Sequence, residues 1–193
     1  IGSSALQSNT TASNGTAVGA YSLYINTTGA DNTSLGGFAM RLNTTGSFNT
    51  AVGRESLYSN STASYNTAVG YQAGYSNTEG ARNVALGSFS LDANTTGTQN
   101  TAVGYQSLSS VVSGNYNTAV GDEALFSNTG DNNTAVGYDV MFNNDGSNNI
   151  ALGYQAARNA LTVDNSIFIG YDIDAASTTE DNVLNIGNIL FGT

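Results

Sequence analysis

A glycine preceded by a branched apolar residue recurs along the whole chain, at Gly2, Gly19, Gly36, Gly53, Gly70, Gly87, Gly104, Gly121, Gly137, Gly153, Gly170 and Gly187. The spacing is 17 residues except for two steps of 16, Gly121–Gly137 and Gly137–Gly153. Self-similarity at such a fixed period marks a repeat architecture, in which each unit buries its apolar face only by stacking on the next. The register runs almost from end to end, so residues 1–193 are expected to form a single repeat domain without linker. Ile1 already occupies the column before the glycine, which suggests a segment of a longer protein.

Stacking the repeats reveals further columns. The residue before the glycine is Val, Leu or Ile throughout, as in Val18, Leu35, Val103 and Ile169. Two before it the chain is small (Ala17, Ser34, Ala51, Ala102, Ala151), and three before it threonine dominates (Thr16, Thr50, Thr101, Thr134). Four after it sits leucine or methionine, from Leu23 and Met40 to Leu125 and Met141. Seven after it comes asparagine: Asn26, Asn43, Asn60, Asn77, Asn94, Asn128 and Asn144. Both 16-residue repeats lose their residue between this asparagine and a closing glycine (Asn128–Gly130, Asn144–Gly146), where a loop absorbs a deletion without shifting a strand.

Helix is excluded by the glycine and asparagine in every repeat, and β-branched residues fill the regular positions. The expected fold is therefore all-β: a parallel β-solenoid of about twelve 17-residue turns, roughly 50 Å long at the usual strand spacing. The strand alternates, so the Val/Leu column and the threonine column share one face and alanine takes the other. Ranking by hydrophobicity puts the Val/Leu column inside the coil and the alanines outside. Outward alanines would suit a close approach of backbones, as when three chains meet around an axis, and this predicts a homotrimer. Stacked asparagines are expected to form an amide ladder. Phe168 and Asn185 break the alanine column, so the last turns are expected to pack differently.

Composition narrows the function classes. No stretch approaches the length of a membrane-spanning helix, and no signal-peptide pattern opens the chain. Cys 0 and His 0 remove thiolate chemistry, disulfides and the commonest general base and metal ligand. A net charge of -10, with arginine as the only basic residue, argues against nucleic acid and anionic membranes as partners.

The motifs "NTAVG" (Asn66–Gly70, Asn100–Gly104), "NVALG" (Asn83–Gly87) and "NIALG" (Asn149–Gly153) resemble the repeat of trimeric autotransporter adhesin heads. The longer "NTTGTQNTAVGYQSL" (Asn94–Leu108) is similar to arrays in phage tail-fibre proteins. The ending "NVLNIGNILFGT" (Asn182–Thr193) resembles the stretch preceding self-cleaving chaperone domains of such fibres. The resemblance implies a left-handed β-roll, three chains around one axis, and an extracellular setting on a virion tail fibre or a cell surface. It implies a structural fibre or adhesin segment, not an enzyme, whose partners are its own copies and a host glycan or protein.

No catalytic, cofactor-binding or metal-binding residue is assigned from the sequence. The candidates weighed are acidic residues concentrated in the C-terminal part (Asp122, Glu123, Asp131, Asp139, Asp145, Asp164, Asp172, Asp174, Glu180, Asp181). Among them Glu123 and Asp139 fall at equivalent positions of neighbouring turns. Paired carboxylates can serve glycoside hydrolysis or hold calcium, but solvated charge limiting aggregation is the expected role. A broken column of tyrosines (Tyr71, Tyr105, Tyr138, Tyr154, Tyr171) either packs on itself or offers rings to sugars or a receptor. Sequons at Asn26–Thr28, Asn43–Thr45 and Asn94–Thr96 lie in the asparagine column, where a ladder explains them better than glycosylation. Ice binding on a threonine face requires those threonines outward. Since they share a face with the Val/Leu column, alanine would be left to make the core, and the expectation goes against it.

Overall fold

Each repeat contributes one three-residue parallel strand ending just before its glycine, in the computed structural model of the chain. Residues 2–160, 162–175, 179–187 and 189–191 are described. The strands are β1 (Thr16–Val18), β2 (Thr33–Leu35), β3 (Thr50–Val52), β4 (Thr67–Val69), β5 (Val84–Leu86), β6 (Thr101–Val103) and β7 (Thr118–Val120). They continue with β8 (Ser127–Asn128), β9 (Thr134–Val136), β10 (Asn143–Asn144), β11 (Ile150–Leu152), β12 (Ile167–Ile169), β13 (Leu184–Ile186) and β14 (Ile189–Phe191). Among the described residues there is no helix. Apart from β8 and β10, all belong to one 12-stranded sheet in repeat order, parallel up to β13, with β14 folding back antiparallel on β13. About ten turns lie between β1 and β13, fewer than the twelve expected, because the first glycine precedes the first described strand.

Register is set column on column. Thr101 pairs with Thr118, Ala102 with Ala119 and Val103 with Val120. The two 16-residue repeats keep the register, Thr118 pairing with Thr134 and Thr134 with Ile150. Their missing residue lies where the sequence places it. In longer turns the asparagine amide donates to a carbonyl three residues on (Asn26 Nδ2 to Gly29 O, 2.9 Å), and in the shorter ones to a carbonyl two residues on (Asn128 Nδ2 to Gly130 O, 2.8 Å). The shortened segments pair as the two-residue strands β8 and β10.

The inside of the coil is the reverse of the expectation. Ala51, Ala68, Ala102, Ala119, Ala135 and Ala151 are fully buried, whereas Val18, Val69, Val120 and Val136 are 36–45% exposed. The alanines line the core of a single chain and are not free to form a contact between chains. The physical reason is room. Leu23, Met40, Leu57, Leu91, Leu108, Leu125 and Met141 are buried opposite the strands, together with two columns of buried asparagine. A 17-residue coil closed around those side chains leaves space on the strand side only for a methyl group or a hydroxymethyl. Near the C-terminal end the large column shrinks and the small column grows. Ala157 stands in the leucine column, and in the next strand Phe168 replaces alanine, both wholly buried in the same apolar cluster. The break in the alanine pattern is thus a volume-conserving exchange.

The leucine column has left-handed backbone, with φ of 47° at Leu23, 45° at Met40 and 51° at Leu108. That conformation crowds a branched Cβ, which explains why the column from Leu6 to Ala157 holds Leu, Met, Gly or Ala and never Val or Ile.

Swapping sizes across one strand tests this arrangement. Ala102→Leu overpacks the coil and is expected to cost about 1–3 kcal/mol. Val103→Asp next to it, half-exposed on the outer face, should cost the isolated chain less than about 1 kcal/mol. Thermal melts of the two variants under dissociating conditions check the order, and a larger loss for Val103→Asp would put valine back inside.

Candidate functional site

The acidic residues do not converge. Among the described residues no group of three or more acidic side chains is placed to hold a metal ion, and the surface carries no enclosed pocket. Glu123 and Asp139 do occupy the same column in successive turns, both with left-handed backbone. Asp139, however, is buried and already engaged. Its Oδ2 accepts from Arg158 Nε and from Gln155 Nε2 at 2.8 Å, while Arg158 lies over the Phe142 ring. The carboxylate in turn raises the Arg158 pKa through that hydrogen bond. Asp139 Oδ1 is buried without a partner. This cluster ties turns together across Asp139, Phe142, Gln155 and Arg158.

Asp131, Asp164 and Asp181 have a structural duty that the sequence does not announce. Each caps the backbone of the preceding turn: Asn115 N donates to Asp131 Oδ1, Ser147 N to Asp164 Oδ1, and Asp164 N to Asp181 Oδ1. Serines do the same job earlier in the rod, with Ala30 N donating to Ser47 Oγ and Ser47 N to Ser64 Oγ. The acidic enrichment of the C-terminal part is in this column a change from hydroxyl to carboxylate acceptor.

The asparagines are interior. Asn43 Nδ2 donates to Asn26 Oδ1 (2.7 Å), Asn60 to Asn43 (2.8 Å), Asn77 to Asn60 (3.0 Å) and Asn94 to Asn77 (2.7 Å). The expected ladder is present, and Asn26, Asn43 and Asn94 are buried, so their sequons are inaccessible in the folded chain. A second asparagine column, the first letter of each "NTAVG", has a role that the motif alone does not announce. Asn100 Oδ1 accepts from Asn117 N (2.9 Å), and Asn100 Nδ2 donates to Gly114 O (2.7 Å). The same pair of bonds repeats from Asn32 to Asn149. An amide suits a side chain that donates and accepts across one turn boundary, because its two polar atoms point apart. In the same column Ser166 takes the place with a hydroxyl that accepts from Val183 N and donates to Asp164 O.

The tyrosine column packs partly on itself. Tyr138, Tyr154 and Tyr171 are stacked with centroids 5.3 and 5.0 Å apart, while Phe89 meets Tyr71 and Tyr105 edge-on. All five tyrosines remain 40–72% exposed.

The most extended surface feature is the outer face of the large sheet. Thr33, Thr50, Thr67, Thr101, Thr118 and Thr134 are half-buried there and Thr16 is exposed, beside Val18, Leu35, Val69, Leu86, Val120, Val136, Ile169 and Ile186, each 36–45% exposed. An apolar column exposed along much of the rod exceeds the scattered apolar residues usual on a soluble surface. Comparison with family models, with curated proteins and with solved structures finds no match to this chain.

Proposed function

We propose that this chain is a structural segment of an extracellular fibre, of the tail-fibre kind its repeats resemble, in which three copies pack through their threonine–valine faces. The same arrangement on a bacterial surface would be an adhesin head. The rod holds a host-binding region away from the particle or cell. The observation that carries the reading is the exposed Val/Leu/Ile column, an apolar stripe in register over the whole sheet. The number three comes from the resemblance; the need for a cover comes from the exposure. In such a fibre, contacts repeated over three chains supply avidity.

Size-exclusion chromatography with light scattering is expected to give about three times the 19.8 kDa chain mass. Val69→Lys, Val103→Lys and Val120→Lys together should yield a monomer with unchanged β-type circular dichroism, because these side chains lie outside the coil. A native chain that stays monomeric at micromolar concentration would sink the fibre reading.

One observation favours a second reading, ice binding. The threonines do face outward and alanine does make the core, so the packing objection raised from the sequence does not hold. A monomer that shows thermal hysteresis would put this reading first.

A further inference from the structure

One backbone position per turn, two residues before the strand threonine, has left-handed φ throughout: 57° at Asn14, 56° at Asp31, 59° at Asn132, 61° at Asn148, 53° at Asn165 and 59° at Asn182. Asn and Asp are the non-glycine residues that tolerate this conformation best. Five consecutive turns between Asp31 and Asn132 depart from the rule, with Phe48 (59°), Tyr65 (64°), Arg82 (58°), Gln99 (58°) and Tyr116 (58°). The backbone there is no different. Phe48 N donates to Ala30 O, Arg82 N to Ser64 O and Tyr116 N to Thr98 O, at 3.0–3.2 Å. The chain therefore supplies its own control: the same site takes asparagine or aspartate in other turns and larger side chains only here.

Packing does not account for the exchange. Phe48, Tyr65 and Tyr116 are 51–55% exposed. Phe48 and Tyr65 stack on each other at 5.1 Å, but no ring covers the far face of Tyr65 or either face of Tyr116 among the described residues. Arg82 is also distinctive. Arg54 pairs with Glu55, Arg158 with Asp139, and Arg41 bonds Tyr58 and lies over three aromatic rings. Among the described residues Arg82 alone of the four arginines has neither an acidic nor an aromatic partner. Tyr65, Arg82, Gln99 and Tyr116 follow at one-turn intervals. Two rings thus flank an unpaired guanidinium and an amide over roughly 15 Å of rod.

We infer that this strip, Phe48–Tyr65–Arg82–Gln99–Tyr116, binds an extended saccharide that carries carboxylate groups. The exposed rings take the apolar C–H face of a pyranose, Arg82 pairs with a sugar carboxylate in fork geometry, and Gln99 bonds a hydroxyl. The rise of a turn is close to that of one sugar in a linear polymer, so successive residues meet successive sugars. A free cation in a chain of net charge -10 selects for an acidic ligand locally while the rest of the surface repels it. The inference gives a ligand class to the attachment role proposed above. It rests on that reading for its setting only.

The test uses the full chain in its native assembly, titrated with oligogalacturonate, oligomannuronate and oligosialate, and with neutral methyl-esterified oligogalacturonate. The variants are Tyr65→Asn and Arg82→Asn, which install the residue other turns carry, with Arg82→Gln as a second way to remove the charge. Expected are binding of at least one acidic oligosaccharide, weaker binding of the neutral ester, and about tenfold loss of affinity in each variant. Melting temperature should be unchanged or raised, and oligomeric mass unchanged. Uronate or sialate preference then tells a matrix polysaccharide from a cell-surface glycan. The inference is overturned if no acidic oligosaccharide binds at millimolar concentration, or if the variants bind as tightly as the native chain. It is also overturned if the variants dissociate the assembly, which would make the strip a contact between copies. Because mass is read in the same samples, failure here is separable from failure of the fibre.

Discussion

Gly104→Ala is expected to destabilise the chain by about 3–5 kcal/mol, among the largest losses available from one added methyl group. Gly104 has φ of 134°, a region open essentially to glycine. A Cβ at that position would fall on the carbonyl of Gly121 in the next turn, and this neighbour is backbone, so it cannot swing away. Gly87 and Gly121 meet the same obstacle from the turns that follow them. The expected readout is a large fall in melting temperature with loss of the β-type circular dichroism at ambient temperature. A variant melting within a degree or two of native would mean that turns can slide apart at this column, and that register is fixed elsewhere.

Asn100→Leu should follow closely, at about 2–5 kcal/mol. Leucine and asparagine are of similar length, so the change removes polar atoms without opening a large hole. It leaves Asn117 N–H and Gly114 C=O without their partners, both in a boundary that water does not reach. Each orphaned buried group costs about 1–3 kcal/mol. Asn100→Asp separates the two halves of the interaction: the carboxylate keeps the acceptor for Asn117 N–H but loses the donor to Gly114 O and adds a buried charge. Denaturant melts of both variants check the assignment. A neutral Asn100→Leu would show that these amides only fill space.

The period, the strand before each repeat glycine and the site of the single-residue deletions were legible in the sequence, because each depends on spacing alone; the short pair β8–β10 and the antiparallel β14 were not. The ladder from Asn26 to Asn94 was legible too, since identical polar residues in one column have few other uses. Which face is inside was not. Alternation says that Thr101 and Val103 point together and Ala102 opposite, but it does not say which side has room. Valine is more hydrophobic than alanine, so a one-strand ranking puts Val103 inward. The decision lies across the coil, where Leu91, Leu108 and two asparagine columns already occupy the interior. The sequence does carry a signal for it: the leucine column contains no β-branched residue, as left-handed backbone requires. The Phe48–Tyr116 strip was hidden for a related reason. Its oddity lies in φ, and only the shared backbone conformation makes asparagine the normal occupant.

The asparagine ladder also has a mechanical consequence. Hydrogen bonds between turns lie along the rod, so a pull on its two ends loads the turn boundaries in series, and the weakest boundary yields first. At position 111 the ladder is interrupted by Val111, and Asn94 Oδ1 is left buried without a donor. Boundaries on the N-terminal side, from Asn26 to Asn94, each carry an amide-to-amide bond that this one lacks. Under tension the rod therefore has its weak boundaries where the amide column is broken, on either side of Val111 and again after Asn144, whose Oδ1 is likewise buried without a donor. Parting there leaves stacked blocks joined by short lengths of extended chain.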